Sequence, residues 1–337
     1  MTLCVLSIDG GGVRAVATTR VLAELENLTG RPISDTFDLV TASSSGAVVA
    51  LGLTAPSRHG HARQSAAEIH DLWLERGHQL GPTPPPWRTR VATRLQSWLR
   101  SDPPTVPAAR PNSAAVSAVS SRPDGGGRLL ESYLGEVPFG ASLCDLLVPV
   151  HDLGTGRAVL FRSWEFAHSR TPSMADVARA SSALPTPLGA VRMTLGSRER
   201  LLAHGGFVAS NPSLFAFSQA LARRDPKAKP GIVLVSLGSR RQRRQRQYTE
   251  PVPVPQPGAL ASAFVDGSSS AQHQLLESFV EDRDDVRYMR FEVPLNGCEP
   301  QIHSRDPGDV ACLATAADQA VAEGSSELER IADAVAA

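Results

Sequence analysis

Lysine is nearly absent from this chain: Lys227 and Lys229 are the only two, and arginine carries the rest of the positive charge. With the abundant alanine, that bias reads as the codon usage of a GC-rich genome before it reads as function. A surplus of either sign is missing too, since Lys+Arg and Asp+Glu both number 34. A balanced chain gives no electrostatic ground for a nucleic-acid partner, and none is expected. Cysteine is sparse. Cys4, Cys144, Cys298 and Cys312 are scattered, with no CxxC pair and no histidine at metal-ligand spacing. A reduced, cytoplasmic setting without metal is therefore expected rather than a disulfide framework. No apolar run reaches the roughly 18 residues needed to span a bilayer, and no basic, apolar leader precedes the first strand. The expectation is a soluble protein whose membrane contact, if any, is peripheral.

What is present alternates strands with helices. Leu3 to Ile8 is a continuous apolar run, the mark of a strand buried on both faces of a parallel sheet. Val16 to Leu28 reads as an amphipathic helix closed near Gly30, Phe37 to Ala42 as a second strand, and Gly46 to Leu53 as an apolar helix. Leu146–Asp152 and Ala158–Phe161 read as strands around Gly154-Thr155-Gly156, Ala175–Ala183 as a helix, Ile232–Leu237 as a buried strand, and Gly308–Ala337 as an Ala-rich helix. This alternation predicts an α/β layered fold. Between about 81 and 127, Pro, Ser, Ala and Arg dominate, which predicts an irregular insertion. Inside it, Trp87 to Arg100 has helical apolar spacing ringed by arginines, fitting either a lipid surface or a helix on the body with solvated arginines. Arg240, Arg241, Arg243, Arg244 and Arg246 form a basic loop, read as solvated before it is read as an anion contact.

Two segments carry chemistry. Ala42-Ser43-Ser44-Ser45-Gly46 places a serine between a buried strand and a helix, with small residues two before and two after it. That is the requirement of a strained nucleophile elbow, and only Ser44 of the three serines meets it on both sides. Such serines also serve merely as helix caps. Asp9-Gly10-Gly11-Gly12-Val13-Arg14 ends the first strand, and its glycines can bring N–H groups close to a developing oxyanion. Arg14 would steady that loop or meet a phosphate-bearing substrate. Neither GxGxxG nor Walker spacing is present, and no cofactor is expected.

These segments resemble the patatin-like phospholipase family. Asp9 to Arg14 resembles its Asp-Gly-Gly-Gly-x-Arg loop, Phe37 to Gly46 its strand and elbow, and Ala180 to Pro185 its Ala-Ser-x-Ala-x-Pro segment. Pro149 to Arg162 is similar to its central strand pair, and Val233 to Gly238 to a late core strand. Gly205 to Pro212 is similar to its Asp-Gly-Gly-x-x-x-Asn-x-Pro motif. The resemblance, which covers most of residues 1–240, implies one patatin-like domain over 1–337 and a three-layer α/β/α sandwich with a mostly parallel sheet; the C-terminal part at about 258–337 is expected to be helical. The resemblance further implies a Ser–Asp dyad that hydrolyses lipid or other acyl esters. The nucleophile carries over to Ser44 and the oxyanion donors to Gly11 and Gly12, with Gly10, Arg14 and Gly46 supporting.

The aspartate does not carry over, because His204 stands in its place. A histidine can take a serine proton near neutral pH, with an Asp or Glu behind the ring to hold its tautomer; Asp152 and Asp176 are the carboxylates near these motifs. Two other readings stay open. The acyl group on Ser44 could pass to an acceptor other than water, as in an acyltransferase or cyclase. Alternatively, His204, with Ala42 and Ala15 in place of glycines, could mark a patatin-fold binding protein that has lost turnover.

Overall fold

The computed structural model describes residues 2–79, 125–166, 171–183, 190–224, 231–241, 257–298 and 300–337. The helix read at Trp87–Arg100, most of the insertion and the arginines from 243 to 246 lie outside these residues.

β1 (Leu3–Ile8) is the centre of the sheet, paired in parallel with β2 (Leu39–Ala42) on one side and β7 (Ile232–Arg240) on the other. Alternation explains why an all-apolar strand belongs there. Leu6 and Ile8 face one core, Val5 faces a second, and β2 splits Val40 and Ala42 from Leu39 in the same way. β3 (Asp145–Asp152) extends the parallel arrangement beyond β2, and β8 (Val286–Pro294) extends it beyond β7. β4 (Arg157–Arg162) and the hairpin of β5 (Val191–Leu195) with β6 (Arg198–Ala203) add the antiparallel pairs. The order is β5-β6-β3-β2-β1-β7-β8, with β4 on β3.

Helices cover both faces. The larger core takes α1 (Ala15–Thr29), α3 (Ser45–Thr54), α4 (Ala66–Arg76), α5 (Gly125–Leu134) and α6 (Met174–Ser182), together with α9 (Pro307–Glu323) and α10 (Ser325–Ala336). The short α2 (Ile33–Thr36) leads into β2. On the opposite face, α7 (Ser213–Arg223) and α8 (Pro257–Val280) bury Phe217 and Leu276 against Val5, Leu39 and Leu234. This is the three-layer α/β/α sandwich that the family resemblance implies. α1 ends as expected at Gly30, whose φ of 64° is the left-handed cap that glycine adopts without penalty.

Four expectations need correction. The C-terminal part is not wholly helical, because Val286–Pro294 is a sheet strand in register with β7. The Ala-rich tail is two helices broken at Gly324, where a Cβ would come within 2.6 Å of the Phe291 ring. Gly125 to Gly127, read as the irregular end of the insertion, open α5. Cys298 and Cys312, fourteen residues apart, are joined as a disulfide with a Cα–Cα separation of 5.8 Å. Spacing in sequence hid that pair: the chain turns back between β8 and α9. Cys4 and Cys144 are free. Among the described residues no helix is long and apolar enough to cross a membrane.

Candidate active site

The C-terminal edges of β1 and β2 meet the start of α3, the position where open parallel sheets offer a crevice. β2 runs into Ser43-Ser44, and the chain turns so sharply that Ser44 adopts φ 54° and ψ −124°. It is the one non-glycine residue with positive φ among the described residues. Strain of this kind costs about 1–3 kcal/mol and persists only where the surroundings impose it. Here the Ser44 N–H donates to Ser181 Oγ at 2.9 Å, from the C-terminal turn of α6. Gly46 lets α3 start directly beneath β1, since a Cβ there would lie 2.4 Å from the Asp9 carbonyl oxygen. Nothing local in the sequence marks Ser181 as the partner of the elbow. Its one signal was its place in the Ala-Ser-x-Ala-x-Pro segment, whose serine has a bonding partner in the elbow.

The turn aims the side chain at His204. Ser44 Oγ lies 2.8 Å from His204 Nε2, and both residues are buried. His204 follows β6, its N–H donates to the Ala183 carbonyl at 2.7 Å, and Gly205 and Gly206 come next. Both glycines are required by space. A Cβ on Gly205 would meet the Pro149 carbonyl at 2.5 Å, and one on Gly206 the imidazole itself at 2.6 Å. Burial, with a smaller contribution from His303, lowers the His204 pKa to about 4. The ring is therefore neutral at pH 7, and with its proton on Nδ1 it accepts from the Ser44 hydroxyl.

No described carboxylate sits behind the ring. Asp152 holds Arg200, Thr155 and the Gly154 N–H; burial would raise its carboxyl, but those bonds keep it below the usual range. Asp176 closes a capping box with Ser173 at the start of α6. Neither is available to orient His204. The ring instead meets Phe207, edge on at 5.6 Å, and Phe207 meets Phe264 of α8 at 6.3 Å. Phe207 and Phe264 are 41% and 51% exposed, so the rim beside His204 is aromatic and open to solvent.

The glycine turn also differs in detail from expectation. The Gly10 N–H donates to the Ser210 carbonyl at 2.8 Å, and the Gly11 N–H to Ser45 Oγ at 3.1 Å. Both donors are spent on holding the turn, so neither is free for an oxyanion. Gly12 remains. Its φ of 61° and its approach to the Ile302 carbonyl, where a Cβ would come within 1.7 Å, admit only glycine. The Val13 N–H donates to that same Ile302 carbonyl at 3.0 Å. Arg14 pairs with Asp266 of α8 at 2.7 Å, so this part of its guanidinium steadies the turn rather than meeting a substrate. Asp9, at the turn's start, is gripped by Arg290 of β8 at 2.6 Å and by Ser269 of α8 at 2.8 Å. Burial pushes the Asp9 carboxyl up, with Arg290 opposing it. Nothing in the sequence pointed to Ser269, Arg290 or Ile302.

Residues 6–217 match the family model described as Patatin-like phospholipase. The chain belongs to this family. Patatin-like protein 2 of Arabidopsis thaliana is 29% identical over 64% of this chain and 52% of its own length. A cGAMP-activated phospholipase of Pseudomonas aeruginosa is 31% identical over 71% of this chain and 62% of its own. The chain thus spans about half to two thirds of these relatives. Among solved structures, VipD from Legionella pneumophila aligns over 96% of this chain and 67% of its own, loosely, with a TM-score of 0.37 and 14% identity.

The depressed His204 pKa has a consequence for stability. The unfolded ring titrates near about 6.5, whereas the folded ring stays neutral down to about 4. Between those values the unfolded chain binds a proton that the native state refuses. The stabilisation is therefore complete above about pH 6.5 and is lost as pH falls toward about 4, up to roughly 3 kcal/mol. Denaturant midpoints measured from pH 7 to pH 4 are expected to fall more steeply for wild type than for His204→Gln. His303, also lowered by burial, leaves a shallower slope in the variant. Equal slopes would show that His204 is not the group responsible.

Proposed function

We propose that this protein is a serine acyl hydrolase cleaving carboxylic esters of lipids or related acyl esters, with Ser44 as nucleophile and His204 as base. The observation that carries this reading is the 2.8 Å contact between Ser44 Oγ and the neutral Nε2 of His204 at a strained elbow. Ser44 Oγ attacks the ester carbonyl while its proton passes to Nε2. The tetrahedral oxyanion meets the N–H groups of Gly12 and Ser45, the latter in the first turn of α3, where no intrahelical acceptor exists. Collapse of that intermediate breaks the bond to the alcohol, which leaves with the proton from Nε2. Water, deprotonated by the same nitrogen, then releases the acid and restores Ser44. The exposed Phe207 and Phe264 give the entrance the apolar rim that a lipid ester requires.

The test uses an alkyl fluorophosphonate and nitrophenyl butyrate on wild type and Ser44→Ala. Wild type is expected to hydrolyse the ester and to carry one covalent label on Ser44, and the variant to do neither. A folded wild type that neither labels nor turns over is the inactive scaffold, and the proposal fails. The acid limb of kcat/KM is expected well below pH 6.5, near the depressed His204 value of about 4.

A further inference from the structure

The cavity beside Ser44 shares a wall with a second one. Val48, Trp73, Gly77 and Leu130 line both, and the second is completed by Leu72, Arg76, Leu129 and Tyr133. The first measures about 60 Å³ and the second about 10 Å³. A single water needs roughly 10–15 Å³ on this measure. The first cavity thus takes only a few small groups, and the second is barely a void. The wall between them is firm: Val48, Trp73 and Leu130 come from three different helices and are at most 4% exposed. The Trp73 ring lies on Gly77, where a Cβ would come within 2.8 Å of it. Tyr133 is held against Gly52 of α3, where a Cβ would overlap its hydroxyl.

Chemistry gives the cavity a direction. The leaving alcohol must reach the proton on His204 Nε2, so it lies on the side of His204, His303 and Ser304. The acyl chain then runs the other way, past Val48, which lines the same cavity as Ser44. Among the described residues it meets the apolar wall there. We propose that Val48, Trp73 and Leu130 form a partition that limits the Ser44 site to short acyl chains, and that trimming it joins the two cavities and admits longer ones. This rests on the acyl-hydrolase reading above.

The experiment measures kcat/KM for nitrophenyl butyrate, octanoate and palmitate on wild type, Leu130→Ala and Val48→Ala, with thermal unfolding to establish that each variant is folded. Wild type is expected to fall in rate from butyrate to palmitate. The octanoate-to-butyrate ratio is expected to rise about tenfold or more in Leu130→Ala, the discrimination a few methylenes earn in an apolar pocket. Val48→Ala decides the matter if Leu130→Ala does not fold. A wild type that prefers palmitate, or folded variants with an unchanged ratio, would overturn the partition while leaving the hydrolase intact. Absence of any turnover and of fluorophosphonate labelling would instead remove the hydrolase reading, and the partition with it.

Discussion

Replacing His204 by alanine is expected to lower kcat/KM for an acyl ester by about a hundred- to ten-thousand-fold while the fold persists, the range for losing a positioned general base. The variant that discriminates more is His204→Asp, which installs the aspartate that the sequence resemblance implies for this position. A carboxylate on one methylene holds its oxygens nearer the backbone than Nε2 lies. The 2.8 Å contact to Ser44 therefore opens, unless the elbow moves, and Ser181 and Gly46 hold the elbow in place. His204→Asp is accordingly expected to be less active than wild type, although it restores the aspartate that the resemblance implies. Gly206 points the same way: the site keeps a space beside the ring, where any Cβ would collide with the imidazole. A rate for His204→Asp above wild type would mean that the native histidine is a disabling replacement. Near equality of all three proteins would mean that His204 does no proton transfer. Ser44→Ala serves as the floor in either case, since without Oγ no acyl-enzyme can form.

Local rules made part of this architecture readable before any coordinates. The apolar run Leu3–Ile8, the small residues flanking Ser44 and the glycine that closes α1 each have short-range causes, and each falls where sequence placed it. The glycine turn was legible as a turn but not in its hydrogen bonding. That Gly10 and Gly11 give their N–H groups to Ser210 and Ser45 depends on strands and helices brought together from elsewhere in the chain. β8 was hidden for a different reason. Its sequence, Val286 to Pro294, interleaves apolar residues with Arg287, Arg290 and Glu292, and it falls within the C-terminal part expected to be helical. Arg290 is nonetheless buried, because it pairs with buried Asp9 and with the half-buried Glu292. The cysteine pair and the Ile302 contact share this character. They join residues through the fold, and no periodicity records them.

That buried pair supports the second large effect. Arg290 Nη2 is 2.6 Å from Asp9 Oδ2, both side chains are no more than 7% exposed, and Arg290 reaches Ser236, Ser269 and Glu292 as well. Removing one member of such a pair leaves the other charge buried and alone, at a cost of about 3–5 kcal/mol. Arg290→Met is therefore expected to lower the denaturant midpoint strongly, and Asp9→Asn to do so less, since Arg290 keeps Glu292 as a partner and an amide oxygen can still accept from it. Activity should fall further than stability alone requires. Asp9 begins the glycine turn, its carbonyl lies where α3 starts at Gly46, and a shift of about 1 Å in catalytic groups can cost a hundredfold. The double variant Asp9→Leu/Arg290→Met separates the two effects. With both charges gone, much of the stability should return, but nothing then ties β8 and α8 to the turn. A variant that recovers its midpoint while remaining slow would identify the pair as positioning residues. Recovery of midpoint and rate together would show that packing alone holds the turn, and that the charges had no part in aligning Gly12 with Ser44.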